Sequence, residues 1–321
     1  MAPTPATESP VAGHVLVCEC WPRDGLQGWP EVVPTTIKTA VIRQVLDAGV
    51  REVDLTSFVP ARTSPQFTDA LPLIEALADQ RPARGFRVLA VNLRSFTGIA
   101  RAQAATGAIA TCGFPISASE AHNLANLRRD HASHKEQLAA MIDRCGELGI
   151  EPLVCVATAF GCPLTGAVSP GTVLELAGWA YQRGVRRIML GDTTGEADPD
   201  HAYQLFTRLR SELPEVDPIA HFHDTRGAGI VNTWAALAAG VRTVDASLGG
   251  TGGEPSVVEQ NHRGATGNVA TEDLVAVLNR AGVHTGIDLE RLLAAGVTVE
   301  RAHGRQLFSQ VQRSGPPSPR A

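Results

Sequence analysis

The chain has 321 residues, 44% of them hydrophobic and 19% charged, and a formal net charge of −5 at pH 7. That length and apolar content allow a large core, in one big domain or two smaller ones, and the acidic balance excludes the global basic footprint of a nucleic-acid-binding chain. No apolar run reaches the roughly 18 residues a membrane span requires, so neither nucleic acid nor membrane is expected as a partner.

Residues 1–13 start without the basic and apolar regions of a signal peptide. Small and Pro-rich, they are expected to form a disordered leader. From residue 14 short apolar runs alternate with longer stretches of helical period. The strand candidates are 14–20, 52–56, 87–91, 111–114, 152–157, 187–191, 218–222 and 243–247. Between 35 and 48, Ile37, Val41, Ile42, Val45 and Leu46 make one apolar helix face, and Ala48-Gly49-Val50 supplies a glycine stop. The same ending recurs at Leu148-Gly149-Ile150, Arg183-Gly184-Val185 and Ala239-Gly240-Val241. Eight strand–helix units in roughly 270 residues predict an α/β fold, a (β/α)8 TIM barrel. The barrel is assigned to 14–285, a short C-terminal helical extension to 286–308, and a disordered tail to 309–321. A doubly wound sheet would carry a Gly-rich phosphate fingerprint after its first strand, and none is present.

The cysteines Cys18, Cys20, Cys112, Cys145, Cys155 and Cys162 show no CxxC spacing, and several lie in apolar runs. They read as free thiols in a reducing, cytoplasmic setting.

Active sites of such barrels lie at the C-terminal ends of the strands. Arg23-Asp24 follows the first strand, Asp54-Leu55-Thr56-Ser57 closes the second, Asp192 the sixth, and His221 and His223 the seventh; Asn268 falls after the eighth. In His221-Phe222-His223-Asp224 the two imidazoles share a strand face while Phe222 points away. Paired imidazoles at that spacing suit a divalent metal. Taken singly, the histidines fit ordinary hydrogen bonding, Asp24 a turn and Asp192 a helix cap. Convergence from five strands favours a site.

Several motifs then stand in a recognisable order: Pro22-Arg23-Asp24-Gly25-Leu26-Gln27, Thr56-Ser57-Phe58-Val59, Phe160-Gly161-Cys162-Pro163, Gly191-Asp192-Thr193-Thr194-Gly195, His221-Phe222-His223-Asp224-Thr225 and Gly264-Ala265-Thr266-Gly267-Asn268. Ala270-Thr271-Glu272-Asp273-Leu274 and Gly282-Val283-His284-Thr285-Gly286 close the series. From about residue 14 to 300 the chain resembles the hydroxymethylglutaryl-CoA lyase family, a branch of the metal-dependent lyase and synthase barrels.

The resemblance implies Asp24, His221, His223 and Asn268 as metal ligands, a mixed N/O set suited to Mg²⁺ or Mn²⁺. It implies Arg23 as the cation that stabilises an enolate oxygen and Asp192 as an acid/base group. Asp54 stands where a glutamate is usual, one methylene shorter. Glu19 and Gln27 support the site, and Gln27, Thr56, Ser57 and Asn92 are expected to meet substrate. The implied reaction is carbon–carbon cleavage of a 3-hydroxyacyl-CoA to acetyl-CoA plus a keto acid or ketone. The alternatives are an aldolase or synthase running the bond the other way, and a non-catalytic barrel homologue. A homo-oligomer, specifically a dimer, is expected. Arg128-Arg129 is either a contact for the coenzyme's phosphates or an ordinary exposed pair.

Cleavage creates an enolate, which enzymes stabilise through a lysine Schiff base or through a metal with cationic help. The two lysines, Lys38 and Lys135, both read as solvated helix residues, which favours the metal route. Three departures from the family pattern stand out. Glu254 in Gly249-Gly250-Thr251-Gly252-Gly253-Glu254-Pro255 occupies the place of a loop cysteine, and is expected to exchange a proton with substrate or product. The longer stretch behind it adds Glu259, His262 and Arg263. Gly28-Trp29-Pro30 replaces a polar, basic run, and Met189 replaces a small polar residue.

Overall fold

The computed structural model describes residues 11, 13–253 and 267–318. Eight parallel strands close into a barrel in chain order, the last pairing with the first. They are β1 (Leu16–Glu19), β2 (Glu52–Ser57), β3 (Phe86–Leu89), β4 (Ile109–Ser117), β5 (Glu151–Ala157), β6 (Arg187–Asp192), β7 (Asp217–Phe222) and β8 (Thr243–Ala246). Around them run α1 (Thr35–Asp47), α2 (Ala70–Leu77), α3 (Leu93–Thr106), α4 (Glu120–Leu127), α5 (His131–Glu147), α6 (Pro170–Gln182), α7 (Pro199–Glu212), α8 (Gly229–Ala238) and α9 (Thr271–Arg280). The extension is α10 (Leu289–His303) followed by α11 (Gln310–Ser314). No described helix is long and apolar enough to cross a membrane.

The strands fall where the apolar runs place them, with one informative difference. The sequence places the fourth strand at 111–114. The structure carries β4 through Pro115, in register with Cys155, to Ser117. Local chemistry sets the helix starts. Asn92 and Ser95 form a reciprocal capping box on α3, and Asp198 caps α7, with Pro199 in its first turn.

Bulky branched apolar side chains usually fill such barrels. Here a chain of alternating charges occupies the interior. Arg187 Nη2 donates to Glu52 Oε2 at 2.8 Å, and Arg87 Nε donates to the other oxygen of Glu52 at 3.1 Å. Arg87 then forks onto Asp245, with both bonds 2.8 Å long. These four residues are each 1–2% exposed. Asp245 passes the chain on to His221 Nδ1 at 3.0 Å.

Two sequence expectations are corrected. Lys38 is buried, paired with Asp69 at 2.8 Å and donating to the Gln66 carbonyl. Its place on α1 faces the segment leading into α2, so it packs inward although the helix pattern reads as solvated there. The expected tail at 309–321 begins as the helix α11. Ser309 caps it by accepting from Gln312 N, and the Asp273 carboxylate accepts the N–H groups of Gln310 and Val311. Residues 1–10, 12 and 319–321 lie outside the described residues.

Removing the central arginine strands two buried carboxylates. Arg87→Met is expected to cost about 3–5 kcal/mol of unfolding free energy, read as a lowered denaturation midpoint in urea.

Candidate active site

The first site residues sit on a five-residue π-helical turn, Trp21–Gly25, directly after β1. The Cys20 carbonyl accepts from Arg23 N at 3.1 Å and Gly25 N at 3.0 Å. Pro22 has no N–H to place there. Glu19 holds the turn from below, accepting from Trp21 N at 2.8 Å, Leu248 N at 2.8 Å and Thr271 Oγ1 at 2.7 Å. Burial pushes the Glu19 carboxyl up to about 7 against these three bonds. From the far end of the chain, His303 closes over the turn. Its Nε2 accepts from Trp21 Nε1 at 3.1 Å, and its ring meets Trp29 edge-on at 4.1 Å. Burial, helped by Arg305, holds His303 down to about 4 and hence neutral.

Arg23 is fixed on all sides. Its Nε donates to Asp54 Oδ2 at 2.8 Å, its Nη1 pairs with Asp24 Oδ1, and the same Nη1 reaches Gln27 Oε1 at 3.3 Å. Burial would raise the Asp24 carboxyl; Arg23 first, then the two histidines, outweigh it and hold the group well below the usual carboxylate range. Asp54 is pushed up by burial, offset in part by Arg23, and its Oδ1 is buried without a partner.

Asp24, His221 and His223 each offer a donor atom within 4.8 Å of the others. His223 Nδ1 donates to the Thr193 carbonyl at 2.6 Å, and His221 Nδ1 donates to Asp245. When a metal displaces the inner protons and those outer nitrogens keep theirs, the lone pairs lie at Nε2, and the two Nε2 atoms face each other at 3.0 Å. Asp24 Oδ2 lies 3.6 Å from the one and 3.9 Å from the other. A bridge pairs Asn268 with His223, and Asn268 Nδ2 donates to Asp24 Oδ2 at 2.7 Å. Asn268 Oδ1 is buried and unpartnered. Two converging lone pairs, a carboxylate and an orphaned amide oxygen fit a divalent cation, and the bonds behind the imidazoles are those that orient metal ligands. Cys18 and Cys20 also lie close to Asp245, but burial pushes the Cys18 thiol up to about 11 and Cys20 well above its ordinary value. Asp245 is also already committed to Arg87 and His221.

These groups open onto a cavity of about 700 Å³. Gln27 and Asn92 line it, although the Asn92 side chain also caps α3 at Ser95 N. Thr56 and Ser57 do not line it. A register shift between Asp54 and Thr56 interrupts the strand alternation at Thr56, and Ser57 Oγ donates to the Leu89 carbonyl. Asp192 is also set apart. It is fully buried, with one oxygen accepting from Glu196 N at 2.7 Å and the other from Ala197 N at 3.1 Å. It staples the loop whose Thr193 carbonyl orients His223. Glu254, Glu259, His262 and Arg263 lie outside the described residues. On the near side of that segment, Gly252 has φ +94, and a Cβ there would fall on the Asp24 carbonyl. Only glycine lets the loop press this closely against the turn.

Three groups that the structure brings to the candidate site had no sequence assignment. Asp245 was legible as a charged residue in the buried strand β8, paired beside the histidine strand β7. Thr193 acts through its backbone, which no side-chain pattern reports. Arg62 joins Arg128 and Arg129 on the cavity lining only through loop geometry.

The HMGL-like family profile matches residues 14–299. The mitochondrial hydroxymethylglutaryl-CoA lyase of Mus musculus is 34% identical over 301 residues, covering 94% of this chain and 89% of that one. The (R)-citramalyl-CoA lyase of Chloroflexus aurantiacus is 34% identical over 313 residues, covering 95% and 96%. Among solved structures, an HMG-CoA lyase from Acinetobacter baumannii in complex with coenzyme A and 3-methylmalate superposes with a TM-score of 0.85 at 32% identity, over 95% of this chain and 98% of that one. The hydroxymethylglutaryl-CoA lyase of Pseudomonas aeruginosa gives 0.87 at 28%, with the same coverage.

If Asp245 sets the orientation and tautomer of His221, Asp245→Asn is expected to weaken Mn²⁺ binding by about 10–100-fold. Titration of the purified variant followed by electron paramagnetic resonance checks this, and unchanged affinity would detach Asp245 from the site.

Proposed function

The chain belongs to the HMGL-like family and is a carbon–carbon lyase, and from that premise we propose that it cleaves a 3-hydroxy-3-methylacyl-CoA of the hydroxymethylglutaryl type. The products are acetyl-CoA and a keto acid or ketone, and the cofactor is Mg²⁺ or Mn²⁺ held by Asp24, His221, His223 and Asn268. The observation that carries the reading is the convergence of both Nε2 atoms, Asp24 Oδ2 and the orphaned Asn268 Oδ1 beside the fixed Arg23 guanidinium.

Bound there, the cation would polarise the substrate's oxygens as a Lewis acid. The chain's own residues account for the rest. As the C3 hydroxyl loses its proton, the C2–C3 electron pair moves onto the thioester, and C3 becomes a carbonyl carbon. Arg23 stabilises the resulting enolate oxygen with a planar charge whose position Asp54 and Asp24 fix beforehand. Gln27, held by the same guanidinium, orients the substrate. A proton delivered to C2 completes acetyl-CoA, and we assign that exchange to Glu254 on the strength of its place in the glycine loop. Gly253, its neighbour, lines the cavity. Asp192 acts at one remove, through the Thr193 loop. Arg62, Arg128 and Arg129 are suited to the coenzyme's phosphates, being cations on the cavity lining.

A panel of 3-hydroxyacyl-CoA thioesters with Mg²⁺ or Mn²⁺, read out as acetyl-CoA and the released carbonyl product, tests the reading. Activity is expected to vanish in metal-stripped enzyme and in His221→Ala. Arg23→Lys is expected to keep Mn²⁺ binding and lose on the order of 10²–10³ in kcat. A lysine variant within about threefold of wild type would reduce Arg23 to a structural role.

Glu254→Gln keeps size and polarity but cannot exchange a proton. It is expected to lower kcat strongly at every pH, with KM little changed. Wild-type turnover in that variant assigns the proton to another group.

A further inference from the structure

The cavity has two unlike walls. Arg23, Asp24, Gln27, His221 and His223 form the polar one, on the side of β1 and β7. Leu89, Pro115, Cys155 and Met189, from β3 to β6, line the opposite side. Pro115, Cys155 and Met189 stand level on adjacent strands, and Met189 is level with Ile219 on β7. The next inward position up the barrel is level with His221, where Gly191 leaves room above Met189. Met189 is 3% exposed and backed by Leu153 and Ile219. None of the four side chains carries a charge, since burial pushes the Cys155 thiol up to about 12.

The cations of the polar wall are already matched. Arg23 is paired with Asp24 and Asp54, while Arg62, Arg128 and Arg129 belong to segments beyond the ends of β2 and β4. An ionised carboxylate seated directly against these four side chains would lose hydration there without a hydrogen-bonding or charged partner from that wall. An alkyl group seated there meets matching surface.

We propose that Met189, with Cys155, Leu89 and Pro115, receives the second arm on the substrate's C3 and selects an uncharged alkyl arm over a carboxylate-bearing one. This rests on the lyase reading and narrows it. The hydroxyl proton passes to water, the C2–C3 electron pair moves into the thioester enolate and leaves C3 a ketone, and C2 takes one proton back, so the step is proton-neutral and the carbonyl product is an uncharged ketone.

The test compares kcat/KM of the Mg²⁺-loaded enzyme on 3-hydroxy-3-methylpentanoyl-CoA and 3-hydroxy-3-methylglutaryl-CoA, which differ only in a terminal methyl against a carboxylate. Wild type is expected to favour the pentanoyl thioester by about 10-fold or more, the scale on which a fitted apolar pocket discriminates. Met189→Gln, close in volume but polar, and Met189→Ser are each expected to shrink that ratio about 10-fold, while Met189→Leu keeps it. A wild-type preference for the glutaryl thioester, or an unchanged ratio in both polar variants, overturns the inference and leaves the lyase reading standing. Failure to cleave any 3-hydroxyacyl-CoA in the wider panel overturns both.

Discussion

The alternating charges Arg187, Glu52, Arg87 and Asp245, ending on His221, are the constraint around which the rest of the molecule is arranged. Taking ions out of water is costly, and the cost is offset only when each charge meets an opposite one in good geometry. In this barrel that condition is met by strands, the most rigid elements available. Asp245 has its two oxygens committed to the Arg87 fork, so the oxygen it shares with His221 cannot wander. The imidazole is thereby held in one tautomer and one orientation, and the ionic interior becomes a mount for the chemistry above it.

A second arrangement brings the charged turn up against that mount. The π-helical widening at Trp21–Gly25 lets two consecutive residues, Arg23 and Asp24, face the same centre. A regular α-helical turn would separate consecutive side chains by about 100°. Glu19 holds the turn to the segment after β8, and Gly252 lets the loop lie against its backbone. The site is thus a closure between the two ends of the barrel, with the histidine strand alongside.

The periodic part of this design was plain in the sequence. Strands buried on both faces appear as short apolar runs, and the helix–glycine–strand endings repeat, so the barrel and the strand-end position of Asp24, His221 and His223 follow from pattern alone. Asn268 was legible through its motif. What stayed hidden depends on contacts across the barrel. Thr56 and Ser57 stand in the right motif, yet neither lines the cavity, and the Ser57 hydroxyl is spent on the Leu89 carbonyl across the strands. Asp192 sits at a strand end as Asp24 and the two histidines do, but its carboxylate is consumed by two N–H groups of its own loop. Lys38 reads as solvated because nothing local announces Asp69, 31 residues away. The Arg87–Asp245 pair spans 158 residues, and neither member signals the other.

The clasp of His303 on Trp21 has a consequence for how the molecule comes into being. The two residues are 282 positions apart, and the turn that carries Arg23 and Asp24 gains its outer support only when α10 docks. Contacts of such separation form late, after most of the loop-closure entropy has been overcome. Arg23 and Asp24 are made well before His303, and the turn that carries them waits for it. That outer support is therefore a late gain, and a chain ended before His303 carries Arg23 and Asp24 on a turn that lacks it.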